Sequence, residues 1–217
     1  MEFHNLFAST ICKTRVDPSS YDKENIIKTM MANYAINPIR NEWNNISNLH
    51  HMYNDWDNPE FLPLDTSSLI PVYQKHIDDF MKTVKFRKNV NYNWVIANFA
   101  INTKDMAQHD HLDQTGDTYN MFSCTHYISY DKTAHGTTEF SNALPLVYYP
   151  FHIKPFQDAL DDKAIENSAY YETGVIDTNE DDFVIFPSHL KHAVYPTKLK
   201  TEHPRIVAAV NIGINLK

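Results

Sequence analysis

The segment DDFVIFPSHLKHAVYP, residues 181–196, has the pattern of two short strands joined by a turn. An apolar run ends at Pro187, and the second run carries His192 followed by Val194. Short runs of β-forming residues bounded by turn residues are typical of antiparallel sheets. Comparable runs occur from residue 91 onwards: NYNWVIANFAI, MFSCTHYISY, TTEF, GVID and RIVAAVNIGIN. About seven or eight short strands predict an antiparallel barrel or a two-sheet jelly roll with helices packed outside.

The N-terminal part of the chain has a helical pattern instead. Apolar residues recur at helical spacing in DKENIIKTMMANY, residues 22–34, and again in a longer stripe that begins after Ser67 or Ser68 as N-cap. Residues 37–63 and 142–173 have no clear helix or strand pattern, and the first of these is expected to be irregular with aromatic anchors. Because binding surfaces concentrate on long loops, a substrate lid is expected in one of these two segments.

Length and charge restrict the classes of protein. A chain of 217 residues suits a single domain with one sizeable core, here residues 1–217. Within it, residues 1–90 are expected to form a helical support and substrate-side segment, and residues 91–217 the β core. The formal net charge of −8 disfavours a nucleic-acid partner. The basic run KTVKFRK, residues 82–88, ends a predicted helix, where cations suit the helix dipole. The two cysteines form neither a disulfide framework nor a CxxC site.

Two His-x-Asp pairs occur, and geometry separates them as metal sites. Side chains at i and i+2 point the same way in a strand, about 7 Å apart, so they can converge on one ion. In a helix they diverge by roughly 200°. His76-x-Asp78 falls inside the predicted second helix, whereas His111-x-Asp113 ends a predicted strand. Only the second pair is therefore a candidate.

The same predicted strand contains His109, which faces the same way as His111 and Asp113, while Asp110 faces the other side and is expected to be solvated. His192 supplies a distant second imidazole, and Arg205 opens an otherwise apolar final strand. Two imidazoles and one carboxylate leave coordination positions open, as in non-haem Fe(II) oxygenases. A buried arginine is a bidentate partner for a carboxylate. The pattern thus predicts a metal next to an anion-binding slot.

From about residue 91 to the C-terminus the chain resembles the iron(II)- and 2-oxoglutarate-dependent oxygenases, in the prolyl-hydroxylase-like branch with a double-stranded β-helix. The resemblance rests on His111-x-Asp113, on Cys124 and Tyr127-Ile128, and on the strings HGTTEF, FPSHLKHAVYP and RIVAAVNIG. The last two strings, and the opening LFASTICKTRVD, are also similar to a family of 2-oxoglutarate oxygenases found in bacteria and their phages.

The resemblance implies that His111, Asp113 and His192 ligate Fe(II), and that Arg205 and Tyr127 bind the distal carboxylate of the cosubstrate 2-oxoglutarate. It also implies a dioxygenase that uses O2, releases succinate and CO2, and hydroxylates a C–H bond of a peptidyl substrate, for example prolyl, or of a small molecule. No apolar stretch reaches the ~18 residues of a membrane span, and the start lacks a signal-peptide pattern. A cytoplasmic protein is expected, in the host cytoplasm if a phage encodes it.

The chain also departs from the family pattern. Asp181-Asp182 stands where relatives usually have a glycine in the turn before the FVIFP strand. The hairpin between His192 and Arg205 is longer than in many prolyl hydroxylases, and relatives often carry His-x-His where this chain has His109-x-His111.

Several alternatives stay open at this stage. His109 is either a ligand or a neighbour of the metal that faces the substrate, and His189 competes with His192 for the distal position. Arg205 can instead form a surface ion pair with Glu202, and Tyr127 can be a core tyrosine. For the whole chain the alternatives are a non-catalytic jelly-roll binding or structural module of phage type, and a cupin-like metalloenzyme that uses no 2-oxoglutarate.

Overall fold

The computed structural model describes residues 9–36, 49–51, 60–86, 90–102, 106–115, 118–142, 155, 158–159, 173–195 and 203–215. Within these ranges the long helices are α1, Lys23–Ile36, and α2, Leu69–Thr83, as the helical pattern predicted, and Pro18–Ser20 form a short 3-10 helix. Ser68 directly precedes α2, which confirms the predicted start. No helix among the described residues is both long and apolar enough to cross a membrane.

Antiparallel strands make up most of the remaining described chain. They are β1 Cys12–Arg15, β2 Leu49–His51, β3 Asn91–Asn102, β4 Met106–His109, β5 Gln114–Thr115, β6 Thr118–Ser129, β7 Thr138–Ser141, β8 Thr173–Val175, β9 Asp182–Pro187, β10 His192–Val194 and β11 Arg205–Asn215. In the described residues these strands form two sheets. The larger sheet has the order β1-β9-β6-β11-β3-β2, and the short strand β5 also pairs with β6. The smaller sheet has the order β4-β10-β7-β8.

Most of the predicted strands are confirmed, and two predictions are wrong. β3, β6, β7, β8, β9, β10 and β11 correspond to the runs of β-forming residues. Of the segment 37–63, predicted to be irregular, only residues 49–51 and 60–63 are described, and the prediction is wrong at 49–51, which form β2 and pair with β3. The expected substrate lid in 37–63 or 142–173 lies mostly outside the described residues. The predicted strand through His109, His111 and Asp113 ends already at His109. Beyond it the backbone bonds elsewhere, because the His111 amide donates to Ser188 O at 2.9 Å and Asp113 O accepts from the Asn120 amide at 3.0 Å.

Two apolar layers cover the two faces of the larger sheet. On one face the helices pack through the predicted stripe of α2, and Tyr73 of this stripe stacks on Phe183 of β9 with ring centroids 5.0 Å apart. On the other face Tyr127 and Phe186 pack with Phe140 of the smaller sheet. Each fully buried large apolar side chain contributes roughly 1.5–3 kcal/mol. The order is therefore helices, larger sheet, smaller sheet, and the space between the two sheets receives the side chains of the site.

The turn before β9 contains Asp181 at the position where the resembled family usually has a glycine. Asp181 adopts a φ of 67°, the left-handed conformation that glycine favours. Its buried carboxylate accepts hydrogen bonds from Lys23 Nζ at 2.6 Å and from the Tyr21 hydroxyl at 3.1 Å. Burial and the negative charge of Asp181 raise the pKa of Tyr21. These contacts offset the backbone strain and tie α1 to the larger sheet.

Candidate active site

Strand pairing in the smaller sheet brings two histidines together. His109 is the last residue of β4 and His192 is the first residue of β10, and the antiparallel register places them directly opposite each other. Their ring centroids are 4.3 Å apart. Phe186 of the larger sheet packs edge-on against His192 at 4.9 Å. His192 is thus held between the two sheets.

A third histidine joins this pair from the segment that follows β4. His111 Nε2 lies 3.3 Å from His192 Nε2, and the two rings stack with an interplanar angle of 10°. A hydrogen bond from a side chain to its backbone fixes the segment, since the Asn120 side-chain Nδ2 donates to His111 O at 2.6 Å. Among the described residues, His109, His111 and His192 form a group whose ligand atoms all lie within 4.8 Å of one another. Such a group can hold one metal ion.

Hydrogen bonds orient two of the imidazoles for metal binding. His192 Nδ1 is 3.0 Å from Leu190 O, and His109 Nδ1 is 2.9 Å from Ala107 O. A carbonyl oxygen can only accept, so each Nδ1 must carry a proton, and each Nε2 of the neutral ring then bears a lone pair. Metal-binding histidines are typically fixed by this kind of bond to a carbonyl or carboxylate.

The electrostatic environment keeps the three rings neutral. Burial, and next the neighbouring His109, lower the pKa of His192 to about 3. The same two causes lower the pKa of His111 to about 4, and burial lowers the pKa of His109. Neutral imidazoles are the form that binds a divalent metal. Near neutral pH the donor set therefore fits a transition metal.

The other residues considered in the sequence lie outside this group. Asp113 is exposed, and its carboxylate is not among the group of ligand atoms within 4.8 Å. The half-buried Asp110 accepts a bond from the Leu112 amide at 3.3 Å, so its expected solvated position is only partly right. His189 lies exposed in the turn after β9. The geometry thus favours His192 over His189.

A buried cation lies between the sheets beyond the histidines. Arg205, the first residue of β11, is 2% exposed, which is incompatible with the alternative of a surface ion pair. Its Nη2 donates to Thr138 Oγ1 at 3.2 Å, and its guanidinium carbon lies 5.2 Å from the centre of the Tyr127 ring. Burial lowers the pKa of Arg205. A buried guanidinium of this kind favours a carboxylate ligand that compensates its charge.

Thr138 connects the cation to Tyr127 and was not identified from the sequence. The Tyr127 hydroxyl donates to Thr138 Oγ1 at 2.8 Å, so this oxygen accepts from both Tyr127 and Arg205. Thr138 pairs with Val194 in β10, two residues along the strand from His192. This register links the cation to the histidines. The string HGTTEF contains Thr138, but only the sheet register identifies which of its residues faces Arg205.

No protein-family model and no curated protein matches the sequence. Solved structures do match. AviO1 from Streptomyces viridochromogenes Tue57 superposes with a TM-score of 0.50 and 12% identity over 95% of this chain and 90% of that chain. A prolyl hydroxylase from Trichoplax adhaerens was solved in complex with a peptide fragment of the hypoxia inducible factor oxygen degradation domain. It superposes with a TM-score of 0.50 and 10% identity over 93% of this chain and 82% of that chain. The viral collagen prolyl hydroxylase of Paramecium Bursaria Chlorella virus-1, in complex with 2-oxoglutarate, superposes with a TM-score of 0.49 and 13% identity over 94% of this chain and 95% of that chain.

Identities of 10–13% establish the fold alone. The two superpositions at a TM-score of 0.50 include a prolyl hydroxylase that aligns over most of its own length. The predicted mainly antiparallel β architecture agrees with this result. The chain therefore shares the fold of these solved structures, one of which is a prolyl hydroxylase.

Proposed function

We propose that this protein is an Fe(II)- and 2-oxoglutarate-dependent oxygenase, with residues 1–217 as one domain around a double-stranded β-helix. One observation carries the proposal: three imidazoles converge between two sheets, and the same space contains a buried guanidinium. A metal site alone is common to many enzymes, and a buried arginine alone is often structural. Together they match a cosubstrate that chelates a metal at one end and carries a carboxylate at the other.

The proposed protein ligands of Fe(II) are His111, Asp113 and His192. The Nε2 atoms of the two histidines, 3.3 Å apart, support their part of the set. Asp113 is proposed on the family resemblance, and its exposed carboxylate must turn towards the histidines to bind. His109 lies in the group that the structure brings together and is the competing third ligand. Its ring next to His192 otherwise lines the side of the metal that is open to substrate.

The proposed cosubstrate slot consists of Arg205, Tyr127 and Thr138. The Arg205 guanidinium binds the distal carboxylate of 2-oxoglutarate through charge-assisted hydrogen bonds. Tyr127 has one hydroxyl proton, which Thr138 accepts in this structure. A bond from Tyr127 to the carboxylate therefore requires it to leave Thr138. The Thr138 hydroxyl accepts from both neighbours, so its own proton is available to donate to the carboxylate.

With Fe(II) bound, the centre supplies oxidative decarboxylation of 2-oxoglutarate by O2, which yields succinate and CO2 and oxidises a C–H bond of the substrate. The residues of the chain hold and orient the participants. Hydroxylation of a peptidyl residue such as proline, or of a small molecule, is the proposed outcome. The Trichoplax adhaerens prolyl hydroxylase, whose structure contains a peptide fragment, makes peptides the first candidates to test.

Succinate release from 2-oxoglutarate tests the proposal without knowledge of the substrate. We expect Fe(II)-dependent succinate formation by the purified protein even when it is uncoupled from substrate oxidation, and its loss in His192→Ala. A jelly-roll module without catalysis releases no succinate. If the protein is instead a cupin-like metalloenzyme that uses no 2-oxoglutarate, it still binds the metal. In that case the substitution Arg205→Ala does not change the measured affinity of the protein for 2-oxoglutarate. Either of these two results contradicts the proposal.

A further inference from the structure

A single turn contacts the backbone or side chain of both histidines proposed as metal ligands. This turn, residues 187–191, is called the ligand turn. His111 donates its amide to Ser188 O at 2.9 Å. His192 donates from Nδ1 to Leu190 O at 3.0 Å. His111 comes from the segment after β4 and His192 opens β10, so the ligand turn is the common support of two ligands that are distant in the sequence.

The ligand turn is attached to the larger sheet through Ser188. Its amide donates to Met121 O of β6 at 3.0 Å. Its hydroxyl lies 2.9 Å from the hydroxyl of Ser123, also on β6. Both hydroxyls are buried, Ser188 at 0% exposure and Ser123 at 2%. A hydroxyl pair at this depth is retained only if it is hydrogen-bonded, because an unpaired buried hydroxyl is costly.

The direction of these hydrogen bonds follows from counting protons. Ser123 Oγ donates to Asn211 Oδ1 of β11 at 3.2 Å, which uses its single proton. The Ser188 hydroxyl must then donate to Ser123 Oγ. The resulting series of hydrogen bonds connects the ligand turn to β6 and β6 to β11, the strand that also contains Arg205.

We propose that Ser188 and Ser123 are positioning residues of the metal centre: their hydroxyl pair fixes the ligand turn so that His111 and His192 keep their mutual geometry. This inference rests on the metal site of the proposed function. Neither serine contacts the metal in this scheme, and both act through the carbonyl oxygens of Ser188 and Leu190. Partners that orient metal ligands typically change metal affinity by 10- to 100-fold when they are removed.

The test measures Co(II) binding to the full chain by competition with a chelator, together with the visible absorption spectrum of the Co(II)-loaded protein. We expect Ser123→Ala and Ser188→Ala each to bind Co(II) roughly 10- to 100-fold more weakly and to change the spectrum. Ser123→Ala/Ser188→Ala is expected to lose no more than the worse single variant, because both changes break the same bond. Ser123→Thr keeps a hydroxyl and is expected to recover most of the affinity.

Ser129→Ala is the matched control, because Ser129 lies on the same strand and donates to Pro204 O at 3.1 Å, away from the ligand turn. Wild-type Co(II) affinity and spectrum in Ser123→Ala would overturn the proposal, even if the variant melts at a lower temperature. An equal loss in Ser129→Ala would overturn it as well. A wild-type protein that binds Co(II) but releases no succinate refutes the oxygenase and leaves the positioning role intact, so the two failures are distinguishable.

Discussion

Replacing Thr138 by valine removes one buried hydroxyl and changes the volume of the side chain little. Thr138 Oγ1 accepts from the Tyr127 hydroxyl at 2.8 Å and from Arg205 Nη2 at 3.2 Å, so valine leaves two buried donors without this acceptor. An unsatisfied buried donor costs about 1–3 kcal/mol. Two of them lower the free energy of unfolding by roughly 2–6 kcal/mol, which corresponds to about 4–24 °C in Tm for a chain of this size.

The same substitution is expected to weaken the binding of the cosubstrate 2-oxoglutarate. A hydrogen bond to a charged group contributes about 1.5–3 kcal/mol, so loss of the Thr138 donor raises the Kd for 2-oxoglutarate roughly 10- to 100-fold. Calorimetric titration of the Mn(II)-loaded protein with 2-oxoglutarate measures this, and differential scanning calorimetry measures Tm. Thr138→Ser keeps the hydroxyl and is the control, with an expected loss of only about 1 kcal/mol in stability. Thr138→Val with wild-type Tm and wild-type affinity would refute the role of this hydroxyl.

Three further predictions test other parts of the account. Asp181→Gly relieves the positive φ but leaves Lys23 without its 2.6 Å partner, so urea denaturation should show a net loss of about 1–3 kcal/mol. Burial and next Lys23 lower the pKa of His126 to about 3 in the folded protein. Unfolded His126 binds a proton below about 6.5, so this residue alone lowers stability by up to ~1.4 kcal/mol per pH unit as the pH drops from 6.5 towards 3. His126→Leu should remove this one-proton part of the dependence, while the buried histidines of the site keep theirs. Asp113→Ala should lose Fe(II) binding and His109→Ala should keep it; the reverse result in a metal titration would place His109 in the ligand set.

The elements with strong periodicity could be predicted from the sequence. α2 has an apolar stripe, and β9 and β11 are nearly continuous apolar runs because both of their faces are covered. β1 and β2 carry no comparable signal. β1, with the sequence CKTR, is a short edge strand that exists through its pairing with β9. Edge strands of this kind depend on a neighbour that is distant in the sequence, and local propensity does not reveal it.

The candidate site could be predicted in part. Residue chemistry and the family resemblance selected His111, His192, Arg205 and Tyr127, and the structure places all four between the sheets. Strand alternation does not describe the segment from residue 110 to residue 113, because β4 ends at His109 and the segment after it follows hydrogen bonds of its own. The identity of the third ligand stays a prediction. Parity rules hold only while a strand stays paired.

Thr138 and Ser188 were missed for a related reason. Each acts through a contact with a residue far away in the chain, Arg205 for Thr138 and Ser123 for Ser188. Such contacts are set by sheet register and by the path of a turn. A threonine or serine near a strand end has many ordinary roles, so residue type alone does not distinguish these two positions.

The crystal structure of the protein soaked with Mn(II) and N-oxalylglycine tests the central claim most directly. The expected result is an anomalous peak for Mn(II) bonded to Nε2 of His111 and His192, with the analogue chelating the metal and its far carboxylate on the Arg205 guanidinium. The same map shows whether Asp113 or His109 completes the protein ligands. Mn(II) bound elsewhere, or an analogue whose carboxylate does not reach Arg205, would contradict the assignment of this site to an Fe(II)- and 2-oxoglutarate-dependent oxygenase.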